Sequence, residues 1–239
     1  MTAYSPERLA ADVSADFDLS LLAEERTPIA VGFFEPETFP DVRVNHYLIK
    51  DNDSSEFRLG EADHPAIRGL LEMTMGATVD MRIPTSNRYC FLTIDQGAVE
   101  LGDSQRETGW HIDGMQGDEV PIKQPGDLQF VWSDKLPTSF AAQSFDMTGI
   151  DPSRHNVFDW VGRQVNPMNV QNGVPNAVYA LTSYHVHSAT LAQAAIYRRF
   201  ARLSFTHLPV TSTRMTVNPE VTYNYPYHTT TGAIPAHLS

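Results

Sequence analysis

One cysteine, three lysines and no long apolar run mark what this chain of 239 residues is short of. The lone Cys90 excludes a disulfide within the chain and any multi-cysteine zinc or iron–sulfur site. Set in the apolar stretch Tyr89 to Ile94, it reads as a core thiol. Lysine occurs only at Lys50, Lys123 and Lys135, and the formal net charge is −12. Binding to a phosphate backbone rests on Lys and Arg, so nucleic acid is not an expected partner. No apolar run approaches the length of a membrane span. Met1 to Ala15 lack the apolar region of a signal peptide, and the expected location is cytoplasmic.

What is present points to strands. Sixteen prolines, 41% hydrophobic and 19% charged residues suit a strand-and-loop protein better than a helical bundle. The chain is long enough to bury one sizeable core and shows no linker or repeat. We expect a single domain over 1–239, with an N-terminal elaboration (1–77), a β core (78–210) and a tail (211–239). Helices are expected at 5–13, capped by Ser5-Pro6, and at 17–25. Strands are expected within 28–50. A further helix starts at Asp63-His64-Pro65 and carries Ile67, Leu70, Leu71 and Met75 at helical spacing. Beyond residue 78 the pattern is all β: Tyr89 to Ile94, Ala98 to Leu101, Asp127 to Trp132 after the Pro125-Gly126 turn, Ser139 to Phe145, Ala177 to Thr190 and Ile196 to Leu208. Residues 149–176 read as a long polar excursion, with His155 and Trp160 as lid candidates. The fold class that follows is mainly β, a double-stranded β-helix (jelly roll) with the N-terminal helices packed outside the barrel.

Against that background two clusters stand out. His111-Ile112-Asp113 at a strand end puts an imidazole and a carboxylate on one face, because strand residues alternate. Trp110 and Gly114 frame it as a rim residue and a tight turn, and Gln105-Arg106 precede it. Downstream, Tyr184-His185-Val186-His187-Ser188 offers a second imidazole from either His185 or His187. Two imidazoles and one carboxylate can occupy one face of a ferrous ion and leave the other positions open. The strand Arg198-Arg199-Phe200-Ala201-Arg202-Leu203-Ser204 then places Arg198, Phe200, Arg202 and Ser204 on a single face. Arginines on an otherwise apolar strand are costly to bury unless they hold an anion, which a guanidinium grips bidentately.

The ordered set His111-x-Asp113, His187, then Arg with a nearby Ser resembles the Fe(II)/2-oxoglutarate-dependent dioxygenase superfamily, in blocks scattered over residues 88–225. The Gly109-x-His111-x-Asp113-Gly114 block and Asn218-Pro219 are similar to an uncharacterised group within it. The 11 positions from His187 to Arg198 resemble the taurine dioxygenase group. The 74 from Asp113 to His187 are fewer than in that group, so taurine is not inferred. The resemblance implies Fe(II) held by His111, Asp113 and His187, with His185 the alternative third ligand. It implies 2-oxoglutarate bound through Arg198, Arg202 and Ser204, with Arg198 ahead of Arg202 as anchor, and O2 as second co-substrate. The implied activity is hydroxylation of a C–H bond of a small molecule, such as an amino acid or natural-product intermediate, with release of succinate and CO2. The alternatives are the same chemistry on a nucleobase or peptide, a cupin-like binding protein without iron chemistry, and a zinc-dependent hydrolase or isomerase.

Overall fold

The computed structural model describes residues 4–106, 108–113, 126–211, 214–229 and 232–234. Gly114 and Pro125, given turn roles above, lie outside them. In chain order the elements are α1 (Pro6–Ser14), β1 (Ile29–Phe33), β2 (Val44–Lys50), α2 (Pro65–Asp80), β3 (Tyr89–Val99), β4 (Leu128–Ser133), β5 (Ser139–Ala141), α3 (Val157–Gly162), β6 (Val170–Asn172), β7 (Ala177–Thr182), β8 (His187–Ser188), β9 (Ile196–Thr206), β10 (Tyr227–Thr229) and β11 (Gly232–Ile234). The fold is mainly β. Six antiparallel strands run β1-β7-β4-β9-β3-β2, three more run β6-β5-β8, and β10 pairs with β11. The N-terminal strands β1 and β2 thus form both edges of the larger sheet. No helix among the described residues is long and apolar enough to cross a membrane.

Strand β9 shows how the sheet separates core from site. Ala201, Leu203 and Phe205 point to one face and join the main core with Phe130 and Trp132 of β4, Ile67 and Leu70 of α2, and Leu9 and Val13 of α1. Each buried Leu or Phe there contributes roughly 1.5–3 kcal/mol by leaving water. Cys90 and Trp132 are buried in this core as expected. The alternate residues Arg198, Phe200, Arg202 and Ser204 line a cleft of about 1730 Å³. Across the cleft lies the smaller sheet, backed by its own apolar cluster of Ile112, Phe145, Val157, Val161, Tyr184 and Val186.

Helix α1 begins where its cap requires, with the Ser5 hydroxyl accepting from the Arg8 amide. His64 caps α2 through Nδ1, ahead of Pro65 at the first turn. Several sequence expectations are corrected. Tyr89–Val99 is one strand, because β9 pairs with it along its whole length and overrides the turn residues Asp95 to Gly97. The run Ala177 to Thr190 breaks into β7 and β8, which belong to different sheets. The break is stapled by His185, whose amide donates to Thr182 O and whose Nδ1 accepts from the Thr182 amide. Residues 17–25 hold a 3-10 turn at Leu19–Ala23 instead of an α-helix. Ser139 to Phe145 keeps strand geometry only to Ala141. The excursion at 149–176 contains α3 and β6.

Candidate metal centre

His187 opens β8, and His111 pairs with it through an isolated antiparallel bridge, each amide donating to the other's carbonyl. That bridge sets the two imidazoles side by side, with ring centroids 4.4 Å apart. Asp113, two residues on, shares the face of His111. One ligand atom from each of His111, Asp113 and His187 lies within 4.8 Å of the others, so this group could hold a metal ion.

The hydrogen bonds around the imidazoles settle their tautomers. His111 Nδ1 lies 2.9 Å from Gly109 O, and His187 Nδ1 lies 2.8 Å from His185 O. A carbonyl only accepts, so both Nδ1 atoms carry the proton and donate, and in the neutral rings each Nε2 keeps a lone pair. His187 Nε2 faces Asp113 Oδ2 at 3.3 Å. A lone pair and a carboxylate oxygen that close repel unless a proton or a cation sits against both. The donor set of two nitrogens and one oxygen, oriented by carbonyls behind it, fits a divalent transition metal. Burial and the neighbouring His187 push the His111 imidazole down, which favours the neutral form that ligation requires. Burial alone would raise the Asp113 carboxyl. Arg202 and His187 outweigh it and hold that carboxyl well below the usual carboxylate range.

The larger sheet supplies the cleft floor as successive rows. Arg202 is flanked by Thr93 of β3 and Val131 of β4, and its Nη1 donates to both Asp113 oxygens at 3.2 and 3.3 Å. This row marks the level of the His/Asp group. Its Nε is buried with no partner among the described residues. Two rows away lies Arg198, 4% exposed. Its Nε donates to Lys135 O and Leu136 O at 3.1 Å, and its Nη1 donates to Gln105 Oε1 at 2.8 Å. Gln105 returns a bond to Arg198 O at 3.2 Å. The guanidinium lies 4.8 Å from the Phe200 ring centre. Burial, then the charge of Arg106, pushes Arg198 down to about 10. It makes no ion pair among the described residues, whereas Arg202 has Asp113.

Two sequence expectations change with these distances. Ser204 lies six residues from Arg198, and an extended strand rises about 3.3 Å per residue, or about 20 Å in all. The two cannot share one carboxylate. Ser204 belongs to the opposite end of the cleft, paired with Gln129. The ambiguity between His185 and His187 also takes geometric form. His185 is buried away from the cleft, bonded to Thr182 and to Thr27 O, with its ring edge-on to Tyr4 at 5.1 Å. Burial pushes it down to about 4.

Within the excursion, His155 and Trp160 pack on each other and do not line the cleft. Phe158 does instead, with its ring 5.9 Å from that of His111. Of Tyr89, Phe91 and Thr93, only Thr93 faces the cleft. The other two pack with Tyr223 and Tyr225 of the tail. Sequence reasoning missed His46, Asp127 and Gln129, all of which line the cleft. His46 reaches it from an irregularity in the β2–β3 register, with φ at 46°. Burial, then the Arg202 charge, pushes its imidazole down to about 4. Gln129 was legible from alternation, two positions from Val131 on the same face of β4. Asp127 lies two positions earlier on the same alternation, and His46 carried no motif. No protein-family model matches the chain, and no curated protein matches it in sequence.

Proposed function

We propose that this chain is a non-haem Fe(II), 2-oxoglutarate-dependent oxygenase acting on a small molecule, and that its two sheets form a double-stranded β-helix. The observation that carries the proposal is one cleft holding both halves of the required chemistry. The tautomer-fixed His111/Asp113/His187 group stands on one side, and the buried arginine face of β9 stands on the other. Bound iron with 2-oxoglutarate and O2 supplies the oxidising power for C–H hydroxylation, releasing succinate and CO2.

The chain's own residues do the positioning. His111 and His187 present Nε2 because Gly109 O and His185 O hold their Nδ1 protons. Arg202 keeps Asp113 ionised and available as a ligand. Arg198 is the fitting anchor for the distal carboxylate of 2-oxoglutarate. It is a buried cation without a carboxylate partner among the described residues, set by Gln105 and two carbonyls. Such a charge is stabilised when an anion arrives. A zinc hydrolase or a static binding protein has no need of that second charge. Fe(II)-dependent formation of succinate from 2-oxoglutarate tests the assignment. It should occur in wild type, vanish in His187→Ala, and need a much higher 2-oxoglutarate concentration in Arg198→Ala. Full iron loading without any succinate would overturn it.

A further inference from the structure

The cleft end opposite Arg198 carries two acceptors without a partner among the described residues. Gln129, 4% exposed, has a buried Oε1 with no partner among the described residues. Asp127, two positions earlier on the same face, also lines the cleft. Its backbone is anchored, the amide donating to Ser183 Oγ at 3.0 Å. Its carboxylate makes no hydrogen bond and no ion pair among the described residues. The nearby buried cation, Arg88, spends its donors on the carbonyls of Gly126, Phe205 and Val13. Asp127 is half-buried at the cleft wall, and a turn of the buried Gln129 amide brings its Oε1 to the same space. Acceptors without donors cost free energy, so the pair calls for a ligand with N–H groups.

We propose, building on the oxygenase assignment, that Asp127 and Gln129 receive a primary ammonium group of the substrate, which makes this an oxygenase of amine-bearing small molecules. The rows of the sheet support the division of the cleft. Asp113 and Arg202 mark the metal level, Arg198 lies on one side of it, and Ser204, Gln129 and Asp127 lie on the other. With the co-substrate carboxylate at Arg198, the substrate takes the Asp127 end. Burial, then the charge of Asp113, pushes the Asp127 carboxyl up to about 7. An arriving cation reverses that cost, and a neutral or anionic group does not.

Ligand-observed NMR on the full chain, with and without bound Co(II), tests this. The probes are the twenty protein amino acids and three linear polyamines, each beside its N-acetylated counterpart. At least one amine should bind wild type about tenfold or more tightly than its acetylated form, the size of one charge-assisted hydrogen bond. Asp127→Asn should abolish that preference and Asp127→Glu should keep it. If Asp127→Asn lacks the wild-type circular dichroism spectrum, Gln129→Leu is read in its place and should lose several-fold. No amine preference in wild type, or a preference unchanged in the folded variant, overturns the proposal. Amine preference in a chain that loads iron yet makes no succinate would instead overturn the oxygenase assignment and leave the subsite standing.

Discussion

Replacing Asp127 by Asn should stabilise the metal-free protein above about pH 4, with the full gain reached from neutral pH upward. The folded carboxyl stands at about 7 against an ordinary 3.8, because burial and the Asp113 charge oppose its ionisation. At about 1.36 kcal/mol for each pH unit, the upper limit of that cost is about 4 kcal/mol. Asp127 keeps partial contact with water, and screening reduces the figure to roughly 2 kcal/mol. The sign follows from linkage. Between the unfolded and folded values the native state holds a proton that the unfolded chain has released, so stability falls as pH rises from about 4 to about 7. Asparagine carries no charge and escapes this loss. Thermal melts in EDTA should therefore coincide at pH 4, and the variant should melt about 4–8 °C higher at pH 8. Co(II) bound at Asp113 offsets part of the opposing charge and should narrow the gap. A difference independent of pH, or a variant less stable at pH 8, would refute this electrostatic account of Asp127.

Three further outcomes are expected. Gln129→Leu removes an unpartnered buried carbonyl and should raise unfolding stability by about 1 kcal/mol in urea titration, even as it weakens amine binding. Asp12→Asn breaks a buried bidentate pair with Arg26, at 2.7 and 3.0 Å, and leaves the guanidinium only the more exposed Glu24 carboxylate, 3.8 Å away, and two carbonyls. A loss of about 3–5 kcal/mol in the same titration is expected, and a loss under 1 kcal/mol would contradict it. Arg202→Met should melt below wild type in EDTA and recover most of the difference with Co(II), because the metal takes over the guanidinium's role beside Asp113. An equal gap with and without metal would separate Arg202 from the site.

The strand periodicity made the core half of the fold legible. Arg198, Phe200, Arg202 and Ser204 face the cleft because β9 alternates over its full length, and the intervening Ala201, Leu203 and Phe205 are core. The His111-x-Asp113 spacing needed only the same rule. The division of 177–190 between two sheets was hidden, since the break depends on the His185 side chain folding back on Thr182, a tertiary event in a run of uniform β propensity. The continuity of β3 was hidden for the opposite reason. Asp95 to Gly97 look like a turn locally, and only pairing with β9 holds them extended. The rows of the floor separate Arg198 from Ser204, a separation that same-face alternation alone does not weigh. His46 reaches the cleft through a register irregularity that leaves no periodic trace, whereas Asp127 continues the alternation of Gln129 and Val131 along the run expected from Asp127 to Trp132.

The most direct test is spectroscopic. Fe(II) and 2-oxoglutarate added anaerobically to the full chain should produce the weak visible charge-transfer band of iron chelated by the keto acid. The band should be absent in His111→Ala and weakened in Arg198→Ala at equal protein and iron concentrations. Iron-loaded wild type without the band, or a band unchanged in His111→Ala, would contradict the assignment of His111, Asp113 and His187 as an oxygenase metal centre.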